Sequence, residues 1–252
     1  TDLWLVDLAT GLRTRLSFAA GDETRAIWTP DGSAVIYTNQ HDSRWQVLLH
    51  PIEGNAIPVV LSESDAPLFP SSVHPSGDRL LVDAKGATQD ANDIDIGLLP
   101  MQENSQPEIF IDADEGFVGN GMFSPDGRWI AYHGVSDQSF DVFVVSADNP
   151  ARKWQVTRVG AVWPEWADGG ATLYVSRFDG SLYATTVNGE GDTFRVGAST
   201  EGIRSTTPSG DGSPFSLHPD GGYVFQSSPE TEQDSSISPI HLVTDWKRGL
   251  MR

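Results

Sequence analysis

One short turn recurs five times along the chain, and that recurrence limits the fold more than any other feature. It is spelled Ile27-Trp28-Thr29-Pro30-Asp31-Gly32, Val73-His74-Pro75-Ser76-Gly77, Phe123-Ser124-Pro125-Asp126-Gly127, Trp166-Ala167-Asp168-Gly169-Gly170 and Leu217-His218-Pro219-Asp220-Gly221. The closing glycines fall at 32, 77, 127, 170 and 221, so the period varies between 43 and 51 residues. Pro fixes φ and Asp offers a local side-chain bond, while Gly supplies the positive φ that ends such a turn. Each turn therefore predicts a hairpin.

A strand follows every turn: Ala34–Tyr37, Arg79–Val82, Trp129–Tyr132, Thr172–Val175 and Tyr223–Phe225. Third strands are readable at Trp45–Leu49, Ile94–Ile96 and Asp141–Val145, with weaker ones at Leu182–Ala184 and Ile240–Val243. Fourth strands are readable at Pro58–Leu61, Glu108–Ile111 and Trp154–Thr157. Four strands per period of this length make the blade of an all-β propeller, and no useful window has helical periodicity. Asp245–Arg252 reads as a short helical turn or a frayed tail. A single blade cannot bury both of its faces, so Trp28, Val73, Phe123, Trp166 and Leu217 are expected to fill the seams between neighbours.

Residues 1–20 carry only two strands, Leu3–Val6 and Thr14–Ser17, with no hairpin before them. The expected architecture is thus one domain over 1–252, with outer strands at 1–20 and blades at 21–64, 65–115, 116–158, 159–197 and 198–252. It is six-bladed with a truncated first blade, or five-bladed if the first strands close the last blade. The start, Thr1-Asp2-Leu3-Trp4, lacks the form of a signal peptide and opens directly on a strand, as a piece of something longer would. An open blade would leave edge strands that invite self-association.

Several segments in order carry a family resemblance. They are Asp2-Leu3-Trp4, Asp7-Leu8, Gly11, Arg15-Leu16-Ser17-Phe18, Phe123 through Tyr132, Lys153 to Thr157, Pro164 to Gly170, and Ile240, Leu242, Val243, Asp245 and Trp246. Over nearly its whole length the chain resembles the TolB-like, tricorn-like propeller repeats. More narrowly, it is similar to the propellers at the C-termini of bacterial serine/threonine kinases and of some winged-helix or adenylate-cyclase-type regulators. The resemblance implies a propeller, an extracytoplasmic or periplasmic location and a place in a larger bacterial signalling protein. It does not fix a function, because propellers host many.

The charge balance is 16 Lys+Arg against 35 Asp+Glu, net −19, which repels nucleic-acid phosphates and anionic lipid. No apolar run approaches the ~20 residues of a membrane span. Cysteine is absent, which removes disulfides, zinc–thiolate sites and thiol nucleophiles.

Catalytic patterns are weak. Gly134-Val135-Ser136-Asp137-Gln138 lacks the second glycine of a nucleophile elbow. His41, His50, His74, His133, His218 and His241 form no close ligand pair, and His74 and His218 share one turn position where a structural role is expected. Asp90-Ala91-Asn92-Asp93-Ile94-Asp95 has the spacing of a calcium loop without its Gly and terminal Glu, so no cofactor is expected beyond adventitious calcium. Ser124-Pro125-Asp126-Gly127 is not a sialidase Asp box. Most Asp residues fill recurrent turn slots, leaving Glu165 as the one convincing inward carboxylate.

Propellers bind at the flat faces or at the mouth of the central channel. In this register the inner strands bring Arg25, Ser71, Asn120, Trp163, Glu165 and Arg204 towards it. This mixed polar ring suits a protein, peptide or polar small molecule, though the same groups could simply bond to water and loops. Two polar loops, 199–213 and 227–239, are long for a blade. The reading is a non-catalytic binding or sensory propeller; the alternatives are a propeller glycosidase or lyase using channel carboxylates, and a scaffold assembling through an open blade.

Overall fold

The computed structural model describes residues 2–7, 10–53, 57–86, 92–113, 116–136, 139–158, 160–204, 215–217, 223–225 and 240–244. The chain opens with β1 (Leu3–Asp7) and β2 (Arg13–Arg15). Then come β3 (Asp22–Trp28), β4 (Ala34–His41), β5 (Arg44–Pro51) and β6 (Val59–Ser64), the first full blade. The second is β7 (Leu68–Val73), β8 (Arg79–Lys85), β9 (Ile94–Pro100) and β10 (Glu108–Ile111). The third is β11 (Val118–Phe123), β12 (Trp129–Ser136), β13 (Ser139–Ser146) and β14 (Asn149–Gln155). The fourth is β15 (Val162–Ala167), β16 (Thr172–Ser176), β17 (Ser181–Glu190) and β18 (Thr193–Arg204). A fifth hairpin joins β19 (Phe215–Leu217) to β20 (Tyr223–Phe225), and β21 (Ile240–Thr244) follows.

Every full blade is antiparallel with its strands in sequence order. The first strands touch in succession, β3 to β7, β7 to β11, β11 to β15 and β15 to β19. That arrangement is a β-propeller. Four of the five recurring turns join the first two strands of a four-stranded blade, and the fifth lies beyond Leu217, outside the described residues. In three of them the bonding repeats atom for atom: Gly32, Gly77 and Gly127 donate their N–H to the carbonyls of Thr29, His74 and Ser124, each at 2.8 Å. These glycines sit at φ of 67°, 75° and 75°, which is why the turn spells Gly there. His74 has the expected turn role, with its Nδ1 2.5 Å from Ser76 Oγ. His218 lies outside the described residues.

Burial follows from stacking. In β4, β8 and β12 most side chains are buried because both faces are covered by stacked sheets, whereas the outer β14 is largely exposed. The apolar clusters are seams. One joins Leu81 and Ile96 of the second blade to Phe123 and Tyr132 of the third. Another joins Trp129 and Val144 of the third to Leu173 and Val175 of the fourth. A third joins Ile36 and Val47 to Leu80 and Val82. Trp28, Val73, Phe123 and Trp166 each pack in a seam as expected.

β1 packs on the first blade through Leu3 against Val35 and Tyr37, with Leu16, just beyond β2, beside them. The edge expected to stand open on β1 carries β21, paired in parallel from Leu3↔Ile240 to Asp7↔Thr244. The last strand is thereby tied to the first.

The fourth blade differs from expectation. β18 runs through the boundary placed at 197 and ends at Arg204, so 199–204 belong to an outer strand and not to a long loop. An outermost strand packs on one side only, so exposed residues such as Arg195, Ser199 and Glu201 give no apolar pattern to read. The expected loop 227–239 lies outside the described residues.

Candidate functional site

The inner strand of each four-stranded blade carries a bulge at the same place. Pairing skips between Thr24 and Ile27, Pro70 and Ser72, Gly119 and Met122, and Val162 and Glu165. The extra residue lets the strand bend and re-aims a side chain. In three blades the bulge holds a non-glycine residue in the left-handed region: Arg25 at φ 54°, Asn120 at 52° and Trp163 at 49°. Each such residue costs on the order of 1–3 kcal/mol unless its surroundings hold it.

What holds two of them is a polar residue six positions after the turn glycine, buried in the neighbouring second strand. The Asn120 N–H donates to Asp83 Oδ1 at 2.9 Å, and the Trp163 N–H donates to His133 Nδ1 at 3.2 Å. At the same position in the first blade, Thr38 Oγ1 donates to the Leu68 carbonyl at 2.7 Å. Every one of these bonds crosses from one blade to the next. Burial pushes the Asp83 carboxyl up to about 7, against the opposing pull of Arg25 and the Asn120 N–H. Burial, aided by the Arg25 charge, holds His133 down to about 3, so it stays neutral and able to accept.

Arg25, Ser71, Asn120, Trp163 and Glu165 line one cavity of about 300 Å³, together with Met122, Pro164, Phe215 and Ser216. The guanidinium of Arg25 donates to Asn120 Oδ1 at 2.7 Å and lies 5.5 Å from the Phe69 ring centroid. The structure thus brings five of the six residues read from the sequence to one place. Arg204 is a correction. It ends β18, the outermost strand of its blade, opposite Ser181, because the fourth blade extends further than its sequence suggests.

Glu165 does reach the cavity, but its oxygens are engaged. Oε2 accepts the Leu217 N–H at 3.1 Å and Oε1 accepts from Ser216 Oγ at 3.3 Å, joining the fourth blade to the fifth hairpin. Ser72, one residue before its seam position like Glu165, accepts the Phe123 N–H at 3.1 Å in the same way. Burial lifts Glu165 to about 7, against these two bonds. It is the one carboxylate among the described lining residues.

No pattern in the chain points to the aromatic rim beside Trp163. His133 stacks on Phe117 at 5.4 Å, and Phe140 and Phe178 complete the group, with Phe178 6.5 Å from Trp163. These residues come from three separated stretches of chain. Asp83 and His133 were legible in principle, as polar residues interrupting apolar strands at one fixed repeat position. In the segment with calcium-loop spacing, Asp95 accepts the Ala113 N–H at 2.9 Å and Asp93 lies 3.9 Å from Lys85 Nζ, while Asp90 is outside the described residues.

No protein-family profile matches the chain. A TolB candidate from Agrobacterium tumefaciens superposes with TM-score 0.60 at 17% identity, over 87% of this chain and 75% of that one. TolB from Acinetobacter baumannii gives 0.59 at 13%, over 83% and 49%. The periplasmic gluconolactonase of Pseudomonas aeruginosa gives 0.57 at 15%, over 86% and 68%. The fold is therefore the TolB-like β-propeller. In sequence, an uncharacterised Agrobacterium fabrum protein is 23% identical over 137 residues, 52% of this chain and 46% of that protein. The chain spans less than half the length of that curated relative. Among the described residues no helix is long and apolar enough to cross a membrane.

Proposed function

We propose that the chain is a binding or sensory propeller without catalytic activity, whose channel cavity receives a polar group of a peptide or small molecule. The observation that carries this reading is the convergence of Arg25, Asn120 and Trp163. Three blades each hold one residue in a costly backbone conformation at the same bulge, and all three line one cavity. Strain repeated where it shapes a cavity fits function better than packing. The engagement of both Glu165 oxygens by the fifth hairpin favours binding over acid–base chemistry.

A place in the periplasm is in keeping with the periplasmic gluconolactonase among the structural neighbours, while a role within a larger bacterial signalling protein rests on the sequence resemblance. That neighbour, with Glu165 lifted to about 7, also supplies the case for a propeller enzyme using Glu165 as its acid.

A photo-cross-linking residue at position 163, challenged with bacterial periplasmic extract, tests the reading. The expected result is capture of a peptide or small molecule at 163 and none from the same probe at Lys153 on the outer strand. Equal capture at both positions would contradict it. Turnover of a captured molecule by the unaltered chain, abolished in Glu165→Gln, would establish the enzyme instead.

A further inference from the structure

The polar groups lining the cavity are unbalanced. Arg25 offers five N–H donors, and the bond to Asn120 Oδ1 uses one nitrogen. Among the described residues Arg25 forms no ion pair. It is also the sole cation among the described residues that line the cavity. Because Asn120 spends its side-chain oxygen on Arg25, its amide N–H groups are left without a described partner. Trp163 Nε1 is buried and has no hydrogen-bond partner among the described residues. On the acceptor side, Glu165 is taken up by the fifth hairpin, and the hydroxyls of Ser71 and Ser216 donate to Leu81 and Glu165. Among the described residues the cavity therefore offers unspent N–H donors on Arg25 and Asn120 and a guanidinium that forms no ion pair, the Asp83 charge reaching it only through space and Glu165 being bonded to the fifth hairpin.

Resting on the reading of the cavity as a binding site, we infer that its ligand presents a carboxylate, seated on the Arg25 guanidinium and the Asn120 amide against the Trp163 indole. The planar fork of Arg matches a carboxylate through two parallel bonds. The net charge of −19 disfavours more highly charged anions, since one guanidinium cannot offset a phosphate dianion within so negative a molecule. A cavity of about 300 Å³ holds one acid group and a short stem. The carboxylate can belong to a small organic acid or to a peptide.

The test is ¹⁹F NMR of the full chain labelled with 5-fluorotryptophan, with the Trp163 line assigned by Trp163→Phe. The probes are glutarate, acetyl-Gly-Glu as free acid and as diamide, and inorganic phosphate, all at matched ionic strength. Glutarate or the peptide acid is expected to move the Trp163 line saturably, and the diamide to leave it in place. The tighter of the two acids identifies the source. Arg25→Gln is expected to weaken the acid at least about tenfold, the worth of a charge-assisted pair, with Arg25→Lys between the two. The acid–amide comparison needs no variant, so it stands even where Arg25→Gln folds poorly. Tighter binding of phosphate, or an undiminished response in folded Arg25→Gln, overturns the inference. A diamide response without an acid response overturns it and leaves the cavity a binding site. Silence of the Trp163 line to every probe overturns both readings.

Discussion

The guanidinium of Arg25 donates to Asn120 Oδ1 at 2.7 Å, although the two residues are 95 positions apart and stand on the first and third blades. Those blades share no seam, because the second lies between them. Only an arrangement that turns the inner strands towards a common axis lets such side chains meet.

The pH dependence of stability follows from three buried groups. The folded chain holds Asp83 and Glu165 at about 7, from ordinary values of 3.8 and 4.5. It binds more protons than the unfolded chain in that interval, so the stability these carboxyls contribute is complete below their ordinary values and is lost as pH rises through 7. His133 acts oppositely, since its folded value of about 3 against 6.5 makes its contribution rise over that range and hold steady above it. Between pH 6.5 and 8 the two carboxyls outweigh the last of the His133 contribution, and the urea midpoint is expected to fall. Asp83→Asn keeps an oxygen for the Asn120 N–H and should flatten that fall by a little under about 1 kcal/mol. A midpoint that rises across the interval, or an unchanged slope in Asp83→Asn, would count against this assignment.

His133→Ala leaves the Trp163 N–H without its acceptor and takes away the ring stacked on Phe117. Orphaning a buried N–H costs about 1–3 kcal/mol, to which the lost stacking adds. Urea unfolding at pH 7.5 checks the loss. Wild-type stability in the variant would mean that the bond across the seam is idle.

How much of this was legible in the sequence depends on where a residue sits in the blade. The turns were readable because Gly32, Gly77 and Gly127 need positive φ and Asp31 and Asp126 cap the turn locally, so the signal lies within six residues. Arg25, Asn120 and Trp163 were readable because the turn fixes the inner-strand register. β18 was not, since an outer strand needs no apolar face, and with it the placement of Arg204 failed. The aromatic rim was hidden because Phe117, Phe140 and Phe178 meet only after the third and fourth blades have stacked.

Gly189 on β17 illustrates a contact invisible to pattern reading. A Cβ there would fall on the Trp129 indole of the preceding blade, and the Gly189 carbonyl accepts from Arg128 Nη2 at 2.9 Å. Gly189→Ala is expected to destabilise by about 1–3 kcal/mol through overpacking, whereas Gly191→Ala meets no atom and carries only the strain of φ 55°. Thermal denaturation of the pair should rank Gly189→Ala as the less stable.

Glu165 ties the fifth hairpin to the fourth blade, so Glu165→Ala should speed hydrogen exchange at the Leu217 amide at least about tenfold. Glu165→Gln, which keeps an acceptor oxygen, should leave it near the wild-type rate. Equal rates in all three proteins would show the bond to be incidental.

The most direct measurement of the radial arrangement uses the absence of native thiols. The double variant Arg25→Cys/Asn120→Cys, treated with a short fluorogenic dithiol cross-linker, should become fluorescent as a monomer, because the inner strands of the first and third blades face one cavity. The control Arg25→Cys/Lys153→Cys should stay dark, since Lys153 lies on the outer strand of the third blade. A dark Arg25→Cys/Asn120→Cys protein that remains folded would contradict the propeller and the cavity at its centre.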